Sequence, residues 1–120
     1  MKWSVFLALI LILILAQPAL AESAFLSGSG DLPLMPGLLE DQKAAVIFDT
    51  PEGRIAHFAA QGAALPAEVK RFYEEALPEL GWTSTGPNRF KREGEILQLT
   101  IKKDGKKGLE VRFDLSPSRP

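Results

Sequence analysis

One pair of acidic residues has a spacing that suits chemistry. Glu93 and Glu95 are two residues apart, so an extended backbone would point both side chains to the same side. Two such carboxylates can serve acid–base catalysis or bind calcium. Gly94 between them favours a turn, however, and no third oxygen ligand follows at the spacing of a calcium loop. We therefore expect neither a catalytic nor a metal site at this pair.

His57 is the single histidine of the chain, and there is no cysteine. Histidine is the side chain that most often acts as a general base, but this one has no second imidazole, no thiol and no Gly-x-Ser-x-Gly elbow to work with. The lack of cysteine also excludes disulfides and thiolate metal sites. Gly28-Ser29-Gly30 is not a phosphate loop, because no lysine–serine pair follows it. We expect no catalytic residue, no cofactor and no metal.

The third group of candidate functional side chains is basic. Residues 89–112 contain eight bases and four acids, whereas the whole chain has a net charge of -1. Such a cluster can attract an anionic partner, and Phe90 among the bases is typical of a groove for single-stranded nucleic acid. The alternative is a charged hairpin tip around Gly105 that has no partner. The candidate patch is Arg89, Lys91, Arg92, Lys102, Lys103, Lys106 and Lys107.

The clearest element that could position these residues is a helix. Pro66 suits the first helical position and Gly81 the end. Between them, apolar residues recur at spacings of three and four and charged residues occupy the other face. The predicted apolar face is Val69, Phe72, Tyr73, Ala76, Leu77 and Leu80. Phe72 and Trp82 are predicted to anchor the core.

The other segments have the period of β-strands. Thr50-Pro51-Glu52-Gly53 is a turn sequence between two segments rich in β-formers. The last two strands alternate apolar and polar residues, as expected for a sheet covered on one side. The sequence predicts an α+β domain: a single antiparallel sheet in the order β-β-α-β-β-β, with one amphipathic helix packed on one face. The predicted strands are 44–49, 54–60, 82–85 continued by 89–92, 96–103 and 109–115.

The N-terminal residues have the features of an exported protein. Lys2 precedes a mostly apolar stretch from Trp3 to Ala16, and Ala19-Leu20-Ala21 forms a small-x-small exit. This pattern predicts a signal peptide over 1–21 that is cleaved after Ala21. The alternative is retention as an N-terminal anchor, whereas a lipoprotein would need a cysteine. We expect a periplasmic or secreted protein with no transmembrane anchor after cleavage.

The mature chain is predicted to form a single domain. Residues 22–31 are rich in serine and glycine and are predicted to be a flexible linker, with 22–30 disordered. The domain then spans 32–116 and a tail spans 117–120. Pro33 and Pro36 keep the segment 32–39 out of a central strand, and its many apolar residues predict that it is docked on the domain.

The order of these motifs resembles a group of small exported proteins of Gram-negative, chiefly alphaproteobacterial, genomes. The resemblance rests on Val69-x-x-Phe72-Tyr73-x-x-x-Leu77-Pro78-x-Leu80-Gly81-Trp82, and on the segments 31–38, 53–55 and 90–95. It implies an exported protein of this fold and transfers no activity and no site residue.

Three hypotheses for the function follow. The first is a non-catalytic domain that binds a protein or another component of the cell envelope. The second is a binder of a small ligand or of an anionic polymer, such as lipid headgroups or polysaccharide, through the basic strands. A hydrolase is third. Because an exported protein does not meet nucleic acid, we expect no nucleic-acid partner.

Overall fold

Two long strands with alternating apolar residues form the centre of the fold. In the second of them Leu109, Val111, Phe113 and Leu115 are buried while the residues between them are not.

The computed structural model of the protein describes residues 24–106 and 108–118. The predicted leader over 1–21 and Lys107 of the candidate patch lie outside the described residues. None of the helices that the structure describes is long and apolar enough to cross a membrane.

The described residues form an α+β domain with one α-helix, α1 (Pro66–Glu79), and antiparallel strands. A short 3-10 helix spans Gln42–Ala44. The strands are β1 (Ala24–Phe25), β2 (Pro33–Leu34), β3 (Leu39–Glu40), β4 (Val46–Thr50), β5 (Gly53–Gly62), β6 (Thr83–Gly86), β7 (Arg89–Arg92), β8 (Glu95–Asp104) and β9 (Gly108–Pro117).

The prediction of a single sheet is wrong, because the strands form two sheets. The main sheet has seven strands in the order β3-β5-β9-β8-β7-β6, and β4 lies beside β3 on the same edge of β5. A separate ribbon pairs β1 with β2. It forms because the chain reverses between these strands, where Gly28 and Gly30 have positive φ. The main sheet also has one more strand after the helix than predicted, since β6 and β7 are separate strands that pair with each other.

Helix α1 covers part of one face of the main sheet, as predicted. Pro66 is at its start, and Gly81 follows its end with a φ of 93°, a conformation that favours glycine. Val69, Tyr73 and Leu77 are buried in the same cluster as the sheet residues. The ring of Tyr73 meets Phe113 edge to face at 5.3 Å. Trp82 is buried as predicted, whereas Phe72 is half-buried.

The prediction of a flexible linker over 22–31 is wrong for the residues that the structure describes. Residues 24–25 form β1, and Leu26 and Ser29 are buried. The hydroxyl of Ser29 donates to the carbonyl of Leu26 at 2.6 Å and accepts from the amide of Leu32 at 3.1 Å. The hydroxyl of Ser29 therefore provides hydrogen-bond partners for two backbone groups of a tight loop. This explains why a segment rich in serine and glycine is ordered here. We call residues 24–38 the N-terminal segment.

The N-terminal segment completes the core beside α1. Leu26, Leu32 and Leu38 belong to the main buried cluster. The burial of Leu32 and Leu38 was expected for the segment 32–39, whereas that of Leu26 was not, and Leu39 is exposed. The hydroxyl of Tyr73 donates to the carbonyl of Pro33 at 2.9 Å and accepts from the amide of Met35 at 3.2 Å. Burial raises the pKa of this hydroxyl, so it remains a donor. One helical side chain thus fixes two backbone groups of the segment.

Charged side chains hold the first loop of the N-terminal segment. Arg54 donates to the carbonyl of Ser29 at 2.8 Å and forms an ion pair with Glu95 at 2.9 Å. Arg92 bonds both carboxylate oxygens of Asp31, at 2.7 and 3.0 Å. It also donates to the carbonyl of Leu80, and its guanidinium lies 4.4 Å from the centre of the Trp82 ring. The loop is therefore attached to both the sheet and the end of the helix.

We predict that Tyr73→Phe destabilises the domain by about 1–3 kcal/mol, because the carbonyl of Pro33 and the amide of Met35 lose a buried partner. Urea denaturation measures the change, and amide exchange at Met35 should accelerate. Glu75→Gln on the exposed face of α1 is the matched control. Equal stability of Tyr73→Phe and the parent protein would show that the segment does not depend on this hydroxyl.

The attachment of Asp31 predicts a dependence of stability on pH. The hydrogen bond from Arg92 lowers the pKa of Asp31 below its ordinary value of 3.8. A lowered folded-state pKa stabilises the fold above the unfolded-state value, and this contribution is lost as the pH falls through the folded-state value. Below about pH 4, Asp31→Asn should therefore lose less stability than the parent protein. Thermal unfolding from pH 7 to pH 2.5 tests this, with Glu74→Gln as the exposed control; parallel curves for Asp31→Asn and the parent would contradict it.

Candidate functional site

The structure divides the candidate basic patch. Arg92 is bound to Asp31, Leu80 and Trp82 and belongs to the attachment of the N-terminal segment. Arg89 and Lys91 are exposed on β7, where they lie opposite Gln98 and Ile96 of β8. The remaining described residues, Lys102, Lys103 and Lys106, are exposed at the β8–β9 hairpin.

The two groups of bases lie apart along β8. Gln98, which faces Arg89, is four residues from Lys102 along β8, or about 13 Å. Exposed charges are screened within about 8 Å at physiological ionic strength. We call Lys102, Lys103 and Lys106, which lie at the same hairpin, the hairpin lysines.

The two neighbouring glutamates do not act as a pair. Glu93 lies in a turn with a positive φ of 46°, whereas Glu95 begins β8 and binds Arg54. Among the described residues, no group of three or more His, Asp and Glu side chains is arranged to hold a metal ion.

His57 has a partner that local sequence patterns did not indicate. It faces Asp114 across the β5–β9 pairing, and its Nδ1 atom lies 2.5 Å from Oδ1 of Asp114. Both side chains are about half exposed, beside a cavity of about 300 Å³ that Asp41 and Arg112 also line. A histidine whose Nδ1 binds a carboxylate is an arrangement that general bases use, so this pair is the place at which the hydrolase hypothesis would be tested. The sequence analysis did not find this pair, because it depends on the register of β5 against β9 and local periodicity does not specify that register.

The strand β4 is the most unusual surface of the domain. Val46, Ile47 and Phe48 expose 40, 44 and 59% of their surface. Their β-branched and aromatic side chains favour a strand, and β5 pairs with one side of it. Within residues 24–106 and 108–118, no strand lies on its other side. An exposed apolar strand with free backbone groups is a template for pairing with another chain. We call this surface the β4 edge.

The opposite edge of the main sheet is protected. It is formed by β6, whose residues Thr83, Ser84 and Thr85 are polar. A bulge interrupts its pairing with β7 between Ser84 and Gly86; the proline that follows it, Pro87, has a counterpart in Pro51 after β4. Bulges, prolines and polar residues are the usual means of preventing edge pairing. β4 itself contains no proline, its one charged residue is Asp49, and its pairing with β5 has no bulge.

Comparisons with known proteins do not assign a family. The chain matches no protein-family model, no curated protein and no solved structure. The surfaces described above are therefore the basis for a function.

Proposed function

We propose that this protein is an exported, non-catalytic binding domain, and that its partner is a protein which adds a strand to the β4 edge. The observation that carries the proposal is the exposure of three consecutive apolar residues on an unprotected edge strand. The periplasmic or secreted location rests on the predicted leader.

The β4 edge offers the two kinds of contact that strand addition uses. Alternate residues of an edge strand point their N–H and C=O groups outwards, and these groups give affinity to any extended segment. The side chains give specificity, because successive residues point to opposite faces. Val46 and Phe48 face the same side as His57 and Ile55 of β5, whereas Ile47 faces the same side as Ala56. A partner strand would therefore contact apolar residues on both faces of the sheet.

Apolar area supports a protein partner over a small ligand. Leu39 of β3, which pairs with the same side of β5, is a further exposed apolar residue, with 78% of its surface exposed. A surface of this kind, with large apolar side chains in a row, marks interaction sites on proteins. A cavity of about 600 Å³ lies beside Leu39, and Asp41, Gln42 and Lys43 also line it.

We predict that a photo-crosslinking amino acid placed at Phe48 forms a covalent adduct with a protein in intact cells of the exporting host. The same amino acid at Thr85, on the protected β6 edge, is the matched control and should give little or no adduct. Gel mobility and mass spectrometry identify the products. Equal adduct yields at both positions would count against the β4 edge as the binding surface.

A second candidate function is binding to an anionic polymer or lipid headgroup. It is favoured by the hairpin lysines, which are exposed around the tip of one turn. Asp104 at the same tip accepts a hydrogen bond from the backbone of Lys106, so the local charge is lower than the number of lysines indicates.

If the hairpin lysines bind an anionic surface, association with vesicles containing an anionic phospholipid should weaken steeply as salt is added, because exposed charges are screened. Lys103→Glu combined with Lys106→Glu should abolish binding and shift stability by only about 0.5 kcal/mol. Lys70→Glu, on the exposed face of α1, is the control. Vesicle sedimentation in 20 to 500 mM salt measures this, and binding that is indifferent to salt and to the double reversal would disprove it.

A further inference from the structure

We infer that the domain docks on an anionic lipid surface through the hairpin lysines and the neighbouring residues 63–65, with the side chain of Leu65 inserted among the lipids. The inference rests on the second candidate function, because it uses the same lysines. It goes further by selecting a lipid surface over a soluble anionic polymer. We call the hairpin lysines together with residues 63–65 the hairpin end.

Leu65 is an exposed apolar residue at a position that favours a polar one. It is the N-cap of α1, it exposes 63% of its surface, and its side chain makes no capping hydrogen bond. Serine, threonine, aspartate and asparagine are preferred at this position, because their side chains accept a hydrogen bond from the first turn. Leu65 therefore contributes neither a cap nor a buried side chain to the fold. Residues that break a local rule in this way are expected at functional sites.

The β8–β9 hairpin lies directly against the loop that carries Leu65. Gly62 pairs with Leu109 of β9, and Leu109 pairs with Lys103 of β8, so Lys103 is about 10 Å from Gly62. A Cβ atom added to Gly108 would lie 2.5 Å from the carbonyl oxygen of Gly62, so the two backbones are in contact. One cavity of about 310 Å³ is lined by Gly108, Leu65, Ala63, Ala64 and Glu68. The exposed leucine and the hairpin lysines therefore lie at one end of the domain.

Lys103 and Leu65 are also on the same side of the main sheet. Leu97 and Leu99 of β8 are buried in the cluster that includes the apolar face of α1. Alternate residues of a strand point to the same side, so Lys103 points to the side that carries α1. After Gly62 the chain turns onto that side, where α1 begins at Pro66.

The distribution of charge favours an approach of this end to an anionic surface. The three hairpin lysines outnumber the nearby acids, which are Glu68 and Asp104. Three further acids lie in the second half of α1, namely Glu74, Glu75 and Glu79. Glu79 is about 20 Å from Leu65 along the helix axis. Anionic lipids attract lysines near their surface, and the field of an asymmetric domain orients it with its basic end towards them.

Leu65 decides between a lipid surface and a soluble polymer. The lysines alone would suit any polyanion, but a polysaccharide offers little apolar surface to cover a leucine. A bilayer offers acyl chains directly below its charged headgroups, and segments that lie on membranes combine lysines with apolar side chains for this reason. The combination at the hairpin end therefore matches an anionic bilayer.

Docking at the hairpin end leaves the β4 edge free for a protein partner. Strand β4 pairs with residues Gly53 to His57 of β5. His57 is five residues from Gly62, or about 16 Å along the strand. The two surfaces therefore do not overlap.

Leu65→Ser separates lipid binding from folding, because it should change them in opposite directions. It places a serine three residues before Glu68, which is the spacing of a capping box, so the melting temperature should rise by a few degrees. Binding to phosphatidylcholine vesicles that contain phosphatidylglycerol should weaken roughly tenfold, since the leucine side chain is no longer transferred from water. Binding to dextran sulfate, a soluble polyanion without acyl chains, should not change. The protein is purified as the exporting host leaves it, and sedimentation with each probe gives the dissociation constants.

A fluorescent probe tests the insertion directly, because the chain contains no cysteine that would also be labelled. Leu65→Cys carrying an environment-sensitive fluorophore should shift its emission to shorter wavelength when the anionic vesicles are added. Dextran sulfate should cause no shift. Thr85→Cys on the β6 edge is the matched control and should shift with neither probe.

The outcomes distinguish this inference from the second candidate function. Vesicle binding that Leu65→Ser leaves unchanged, or a label at Leu65→Cys that does not shift, overturns the insertion and leaves the hairpin lysines as a site for polyanions. Binding to dextran sulfate without binding to the vesicles overturns the lipid surface in the same way. Equal binding to vesicles with and without phosphatidylglycerol, or no binding to either probe, contradicts both proposals.

Discussion

The helix is too narrow to cover the sheet that it packs on. Helix α1 has 14 residues, so it is about 21 Å long and about 10 Å wide. The main sheet is six strands wide, because β3 and β4 share one edge of β5, and it spans about 24 Å. The N-terminal segment must therefore cover the remaining apolar face. The hydrogen bonds of Tyr73 and the bonds of Arg54 and Arg92 hold it there.

The opposite face of the main sheet is covered differently. Its side chains are polar along β9, and the short 3-10 helix lies beside it at β5. Pairs such as His57 with Asp114 and Arg112 with Glu110 lie across this surface. Charged and polar residues keep the face hydrated, and the exposed large apolar side chains of the main sheet lie in β3 and β4.

Local sequence patterns predicted the elements whose formation depends on local interactions. The spacing of Val69, Tyr73 and Leu77 predicted α1, and the alternation along β9 predicted which residues are buried. Contacts between distant residues were not predictable in this way. Ser29 and Gly30 have the composition of a linker, and their order depends on Arg54 and on loop hydrogen bonds.

The candidate sites show the same limit. Arg92 counted as a member of a basic patch because its partner Asp31 is 61 residues away. The exposure of β4 depends on the strand order of the sheet. Periodicity predicts that β4 is a strand but does not indicate which strands are its neighbours. Whether a strand is central or at an edge depends on the pairing of β5 with β9, and no local pattern in either strand specifies that pairing.

The pairing of β5 with β9 also determines when the protein can fold. Ala56 pairs with Leu115 and Gly62 with Leu109, so the central strand of the sheet waits for the last strand to be synthesised. Contacts between residues this far apart in sequence form slowly, because a long loop must close first. Until then helix α1 and the N-terminal segment lack β9, which is part of the surface on which they pack. A polypeptide with this strand order can complete its core only after the last strand has left the ribosome.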